Sequence, residues 1–142
     1  MALVAVLGPL AAGCGSGAQY ANQDRPPTPI VITAEISNNR VSVSPDRFGG
    51  GPIELVVTNQ DTVSHQLTLE TNQIGGTSAG IQQQTGPINP QDTASLKADL
   101  LNKQGTYSLH VGPPGQINGR IAPATLYVGP NRPTAQNQLL QP

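Results

Sequence analysis

Two histidines, His65 and His110, and one cysteine, Cys14, are the residues of this 142-residue chain best equipped for chemistry. His65 stands in NQDTVSHQLTL (59–69), where Val63, His65, Leu67 and Leu69 fall on one face of a strand. An imidazole among aliphatic neighbours is a metal ligand, a general base or a satisfied core group. Asp61 lies four residues before it, so the pair His65 and Asp61 could offer a metal ion one nitrogen and one oxygen. His110 lies in GTYSLHV (105–111), whose apolar set is Tyr107, Leu109 and Val111. Ser108 and His110 therefore face the other way. Parity separates the two imidazoles unless a bulge resets the register, and it disfavours a two-histidine chelate.

Catalysis has less support than ligation. Ser64 adjoins His65, but neighbours on a strand point to opposite faces and cannot pair as nucleophile and base. No G-x-S-x-G, HExxH, P-loop or paired-carboxylate pattern stands in the chain, so no enzyme activity is expected. The bland reading is a neutral core or rim His65 hydrogen-bonded to a backbone group or to Asn59. A buried polar group without such a partner costs about 1–3 kcal/mol, so a partner is expected.

Cys14 ends the run MALVAVLGPLAAG and precedes Gly15-Ser16-Gly17. Small residues, a cysteine and a flexible linker in that order look like the end of a bacterial lipoprotein signal peptide. The alternative is a small buried cysteine in an N-terminal segment. Two features depart from the usual pattern. Leu10 stands four residues before the cysteine rather than three, with Ala11 in its place, and no basic residue precedes the apolar run. The run is also shorter than the roughly 20 residues that a spanning helix needs. The expectation is a signal peptide over 1–13 and acylation at Cys14. The protein is then held at the extracytoplasmic face of a cell membrane by its acyl chains (palmitate or similar), not by a spanning helix.

The elements that must position His65 are strands. Aromatic residues make up 3% and charged residues 11% of the chain, with 16 Gly and 14 Pro, a turn-rich composition poor in helix formers. Residues 14–29 carry the cysteine and then a flexible tether, GSGAQYANQDRPPTP, without periodicity. From Ile30, strand patterns follow in IVITAEI, RVSV, IELVVTN, SHQLTLE, TASLKADL (a short helix being the alternative there), GTYSLHV and RIAPATLYVG. Residues 71–91 read as a long polar loop, functional or mobile. Pro123 demotes the start of the last segment to an edge, bulge or loop. The domain is placed at 30–129, with a disordered tail over 130–142. About seven short strands make an all-β, Greek-key β-sandwich or barrel. Net charge is −1 and the seven basic residues are scattered, which argues against a nucleic-acid partner.

In this order and spacing the motifs resemble the cupredoxins, the β-sandwich family that includes plastocyanin. VSVSPDRFGGGPIELVVTNQDTVSHQLTLE resembles the family's first half, with a strand ending in Asn59 and a histidine, His65, six residues on. GPINPQDTASLKADLLNKQGTYSLHV resembles the second half, with Gly105-Thr106-Tyr107 as its turn. The resemblance implies a copper site of two His, one Cys and usually a Met. His65 takes the place of the first ligand. The thiolate's place falls at Val111, the second histidine's at Pro114 and the methionine's near Gly119. Met1 and Cys14 are the only methionine and cysteine in the chain, so type 1 copper cannot be assembled from residues 15–142. Asn59, His65 and Val111 then mark the fold rather than an activity, and no cofactor is expected. The function implied is a non-catalytic, lipid-anchored binding or scaffolding module at the bacterial cell envelope, with the loops 71–91 and 112–120 as contact surfaces. Its partner there is an unidentified envelope protein or ligand. The alternative is a copper-binding or electron-transfer protein with a non-standard ligand set around His65.

Overall fold

The structure, a computed structural model, describes residues 25–71 and 81–134. The expected signal peptide over 1–13, Cys14, most of the expected tether, the middle of the 71–91 loop and the end of the tail lie outside the described residues. Among the described residues nine strands form, in chain order β1 (Ile30–Ile36), β2 (Val41–Ser44), β3 (Arg47–Gly50), β4 (Pro52–Asn59), β5 (Leu67–Thr71), β6 (Gln82–Gln84), β7 (Thr93–Asp99), β8 (Gly105–Val111) and β9 (Ala124–Asn131). They make two sheets, one ordered β2-β1-β4-β7 and the other β3-β9-β8-β5-β6. β1 runs parallel to β4 and β3 parallel to β9; the other pairs are antiparallel.

Alternation does most of this work. In β1, Ile32, Ala34 and Ile36 are buried while Val31, Thr33 and Glu35 are exposed. In β4, Ile53, Leu55 and Val57 point inward, and they join Leu69, Leu109 and Leu126 of the opposite sheet in one core. Burying such a side chain contributes about 1.5–3 kcal/mol. Residues 93–99 are strand, paired along their whole length to β4, and not helix. The fold is the expected all-β sandwich.

Several boundaries differ from expectation, each for a physical reason. Nine strands replace about seven because β3 and β6 carry no alternating apolar signal. β3 is RFGG, and its last two glycines let backbones close in. A Cβ on Gly49 would stand 2.7 Å from the Pro130 carbonyl oxygen, and one on Gly50 2.9 Å from that of Leu100. β6 is QQQ, held by backbone pairing to β5. The strand placed at SHQLTLE begins only at Leu67. Val63 is 54% exposed and does not share a face with Leu67 and Leu69. The polar loop after Thr71 contributes Ile81 and Ile88 to the core. The folded unit also runs past both ends of 30–129, since Pro27 is buried and β9 continues to Asn131. Arg132 follows, its guanidinium donating to the carbonyls of Gly49, Thr28 and Pro52.

Candidate functional site

Strand directions gather the loops of interest at one end. β4 ends at Asn59, β5 starts at Leu67, β8 ends at Val111 and β9 starts at Ala124. The segments 60–66, 85–92 and 112–123 therefore meet there, and backbone bonds stitch them together. The Gly112 N–H donates to the Gln66 carbonyl, and His65 and Ile88 exchange N–H···O bonds at 3.0 and 2.7 Å.

Asn59 is the hub of this end. It is fully buried, and its Nδ2 donates to the carbonyls of Val63 at 2.8 Å and Ile88 at 2.9 Å. Its Oδ1 accepts the Asp61 N–H at 3.0 Å. An amide has both donors and an acceptor, so one side chain satisfies three backbone groups that the loop would otherwise leave unpaired.

His65 does not bond to Asn59. Its Nε2–H donates to Asp61 Oδ2 at 2.7 Å, and both side chains are largely buried, 10% and 7% exposed. Hydrogen bonding from His65 holds the Asp61 carboxyl below its ordinary value. The Thr62 N–H, 2.7 Å from Oδ1, adds to that, and together they outweigh burial. An ionised carboxylate only accepts, so Nε2 carries the proton and a neutral ring keeps its lone pair on Nδ1. The expected ring partner, a backbone group or Asn59, is thus replaced by Asp61. The reason is local. Asn59 and Thr62 fold residues 60–64 into a turn that swings Asp61 under the ring.

The residues singled out around His65 do come together. Val111 is buried and pairs with Leu67, the first residue of β5, two residues after His65 in the chain. His65 and Asp61 are joined by no third His, Cys, Asp or Glu at metal-binding distance among the described residues. Two apolar side chains of this end face solvent, Val63 at 54% and Ile117 at 58% exposure.

His110 behaves differently from its place in the sequence pattern. Parity does set it on the outer face of its sheet, yet it is fully buried. The chain after Val111 folds back over that face and covers it. Glu70, the diagonal neighbour of His110 on β5, accepts from His110 Nε2–H at 3.0 Å and from the Gly115 N–H at 3.0 Å. Thr68 Oγ1–H and the Gln84 amide both donate to the Gly112 carbonyl, at 2.6 and 3.1 Å. Burial alone would raise the Glu70 carboxyl; the Gly115 N–H, the Gln82 amide and His110 outweigh it and leave the group lowered. The Glu70–His110 pairing was not drawn from the sequence. The available signal was two titratable residues on the polar faces of strands that prove to be neighbours.

Neither a protein-family model nor a curated protein matches the sequence. Among solved structures the chain is similar to auracyanin A, a "blue" copper protein from the green thermophilic photosynthetic bacterium Chloroflexus aurantiacus. Identity is 15%, coverage is 72% of this chain and 100% of that one, and the TM-score is 0.51. It is also similar to reduced auracyanin of Roseiflexus castenholzii, with 15% identity, coverage of 72% and 98%, and a TM-score of 0.49. The purple cupredoxin of Nitrosopumilus maritimus follows at 20% identity, coverage of 70% and 99%, and a TM-score of 0.42. At 15% identity the likeness to auracyanin A speaks to the fold alone, which is the cupredoxin-like β-sandwich.

Proposed function

We propose that this chain is a lipid-anchored, non-catalytic binding or scaffolding module at the outer face of a bacterial membrane, which keeps the cupredoxin-like sandwich without its copper site. The observation that carries the reading is the pairing at the loop end. His65 is closed on one side by Asp61 at 2.7 Å, and the strand end beside it presents the aliphatic Val111 in place of a thiolate. Blue copper requires a thiolate, two imidazoles and a weak axial ligand. The places of the thiolate, the second imidazole and the axial ligand fall at Val111, Pro114 and near Gly119, and no cysteine or methionine follows Cys14 to fill them. The donor set does not fit the metal.

What remains at this end is a surface. The backbone is fixed by Asn59, while Val63 and Ile117 stand exposed on loops, where recognition is usually carried. β1 enters the fold at the opposite end, so a tether from Cys14 to Ile30 supports an orientation with these loops away from the membrane. The test is addition of Cu(II) to the purified 25–142 chain, followed by absorption and affinity. The expected result is no intense visible band and only weak binding. A strong charge-transfer band, or tight binding abolished by His65→Ala, would overturn the reading.

A further inference from the structure

The 112–120 segment lies on the outer face of its sheet over a row of polar side chains, and the attachment is sparse. One fastening is Gly112, whose N–H donates to the Gln66 carbonyl and whose carbonyl receives Thr68 Oγ1–H and the Gln84 amide. The other is the Gly115 N–H on Glu70 Oε2. Beneath the second fastening the same carboxylate uses its other oxygen, Oε1, to hold the fully buried His110. We propose that Glu70 is a strap residue whose carboxylate ties the candidate recognition loop to the buried His110, and that protonation of this strap releases the loop.

The physical argument runs through the two oxygens. An ionised carboxylate accepts on both sides at once and so can join a ring below to an amide above. A neutral carboxyl keeps one strong acceptor oxygen in place of two, so it cannot hold the Gly115 N–H and the His110 Nε2–H together as the carboxylate does. Release also uncovers His110 and puts Ile117, 58% exposed already, on a freer segment. Gly115 itself sits at φ +73°, a conformation the strap helps to hold and one that glycine adopts without strain.

The covering loop carries one charged side chain, Arg120, and the strands add few groups. β5 supplies Glu70, and β6 supplies the uncharged Gln82 and Gln84. β8 adds Ser108, and β9 places Thr125 opposite Ser108. Arg47 lies farther along the face, over the Tyr127 ring at 4.1 Å. Glu70 is thus the anion of this face nearest the loop. Its carboxyl is lowered, so the strap holds above the ordinary carboxylate range and loosens as pH falls through the lowered value.

The inference rests on the loop being the recognition surface only for its consequence. The test reads the strap with no partner present, so failure of the strap and failure of the recognition reading are separate results. Amide hydrogen exchange is measured by NMR at Gly115 and Leu109 in the 25–142 chain and in Glu70→Gln. The expected result is a loss of Gly115 protection by roughly tenfold in the variant, with Leu109 unchanged, as for a local opening. In the unsubstituted chain, Gly115 protection should fall between pH 6 and pH 3 while Leu109 protection holds. Unchanged Gly115 protection in Glu70→Gln, or a parallel loss at both amides with acid, would overturn the proposal.

Discussion

His65 Nε2 lies 2.7 Å from Asp61 Oδ2, a contact that should tie the loop end of the sandwich to the ionisation of Asp61. The hydrogen bond from His65 holds the Asp61 carboxyl below its ordinary value of 3.8. A carboxyl whose folded pKa is depressed stabilises the fold above its unfolded value, and that stabilisation is lost as pH falls through the folded value. Asp61→Asn removes the titration. Urea midpoints should be lower for the variant at pH 6, and its drop from pH 6 to pH 3 should be smaller than that of the unsubstituted chain. An equal drop in both proteins would show that Asp61 is not linked to folding.

Asn59→Ala should destabilise the domain by about 2–3 kcal/mol. It strips the Val63 carbonyl and the Asp61 N–H of the side-chain partners that hold them at 2.8 and 3.0 Å. Asn59→Asp should not rescue it, because an acceptor would then face the Val63 and Ile88 carbonyls. Urea denaturation measures the loss, and the His65 ring resonances should move with it as the turn relaxes. Full stability in the alanine variant would remove Asn59 from its place as hub.

How much of this was legible in the sequence depended on what kind of signal each residue leaves. The inward set of β1 and β4 was plain, because one buried face enforces a period of two. The outward parity of His110 on β8 was legible in the same way. β3 and β6 left no trace, since RFGG and QQQ carry no alternating apolar set. Asp61 was visible as a neighbour of His65 in sequence. That it, not Asn59, would take the ring depended on a turn built from side-chain-to-backbone bonds, which a periodicity does not encode. Burial of His110 was hidden for a different reason. It is imposed by the 112–120 segment, 2–10 residues along the chain, folding onto an outer face that parity assigns to solvent.

On the proposed reading, Cys14→Ala should move the protein from the membrane fraction to the soluble fraction when expressed with residues 1–13 in place. Each buried acyl CH₂ contributes about 0.8 kcal/mol, and two or more chains hold stably where one does not. With Cys14 the only cysteine, no second thiol could take the lipid. Fractionation of cells and metabolic labelling with a palmitate analogue check this. Continued tight membrane association of the variant would sink the anchor.

Arg132 should prove to be the lock of the opposite end. Its guanidinium reaches Gly49, Thr28 and Pro52 at once, tying the chain entering β1 to the start of β4 and the end of β9. Gly51 makes room for it. Its φ is +138°, and a Cβ there would stand 2.6 Å from Pro27 Cγ and 2.8 Å from Arg132 Nη2. A lysine cannot reproduce a planar fork that serves three carbonyls, so Arg132→Lys should recover only part of what Arg132→Ala loses. The alanine variant should lose about 1–3 kcal/mol in urea titration. It should also expose the 25–29 segment to proteolysis before the core unfolds. Gly51→Ala should produce the same early cleavage by wedging the corner apart instead of unlatching it. If neither variant shortens the survival of that segment, the corner is held by β9 pairing alone and the guanidinium is dispensable.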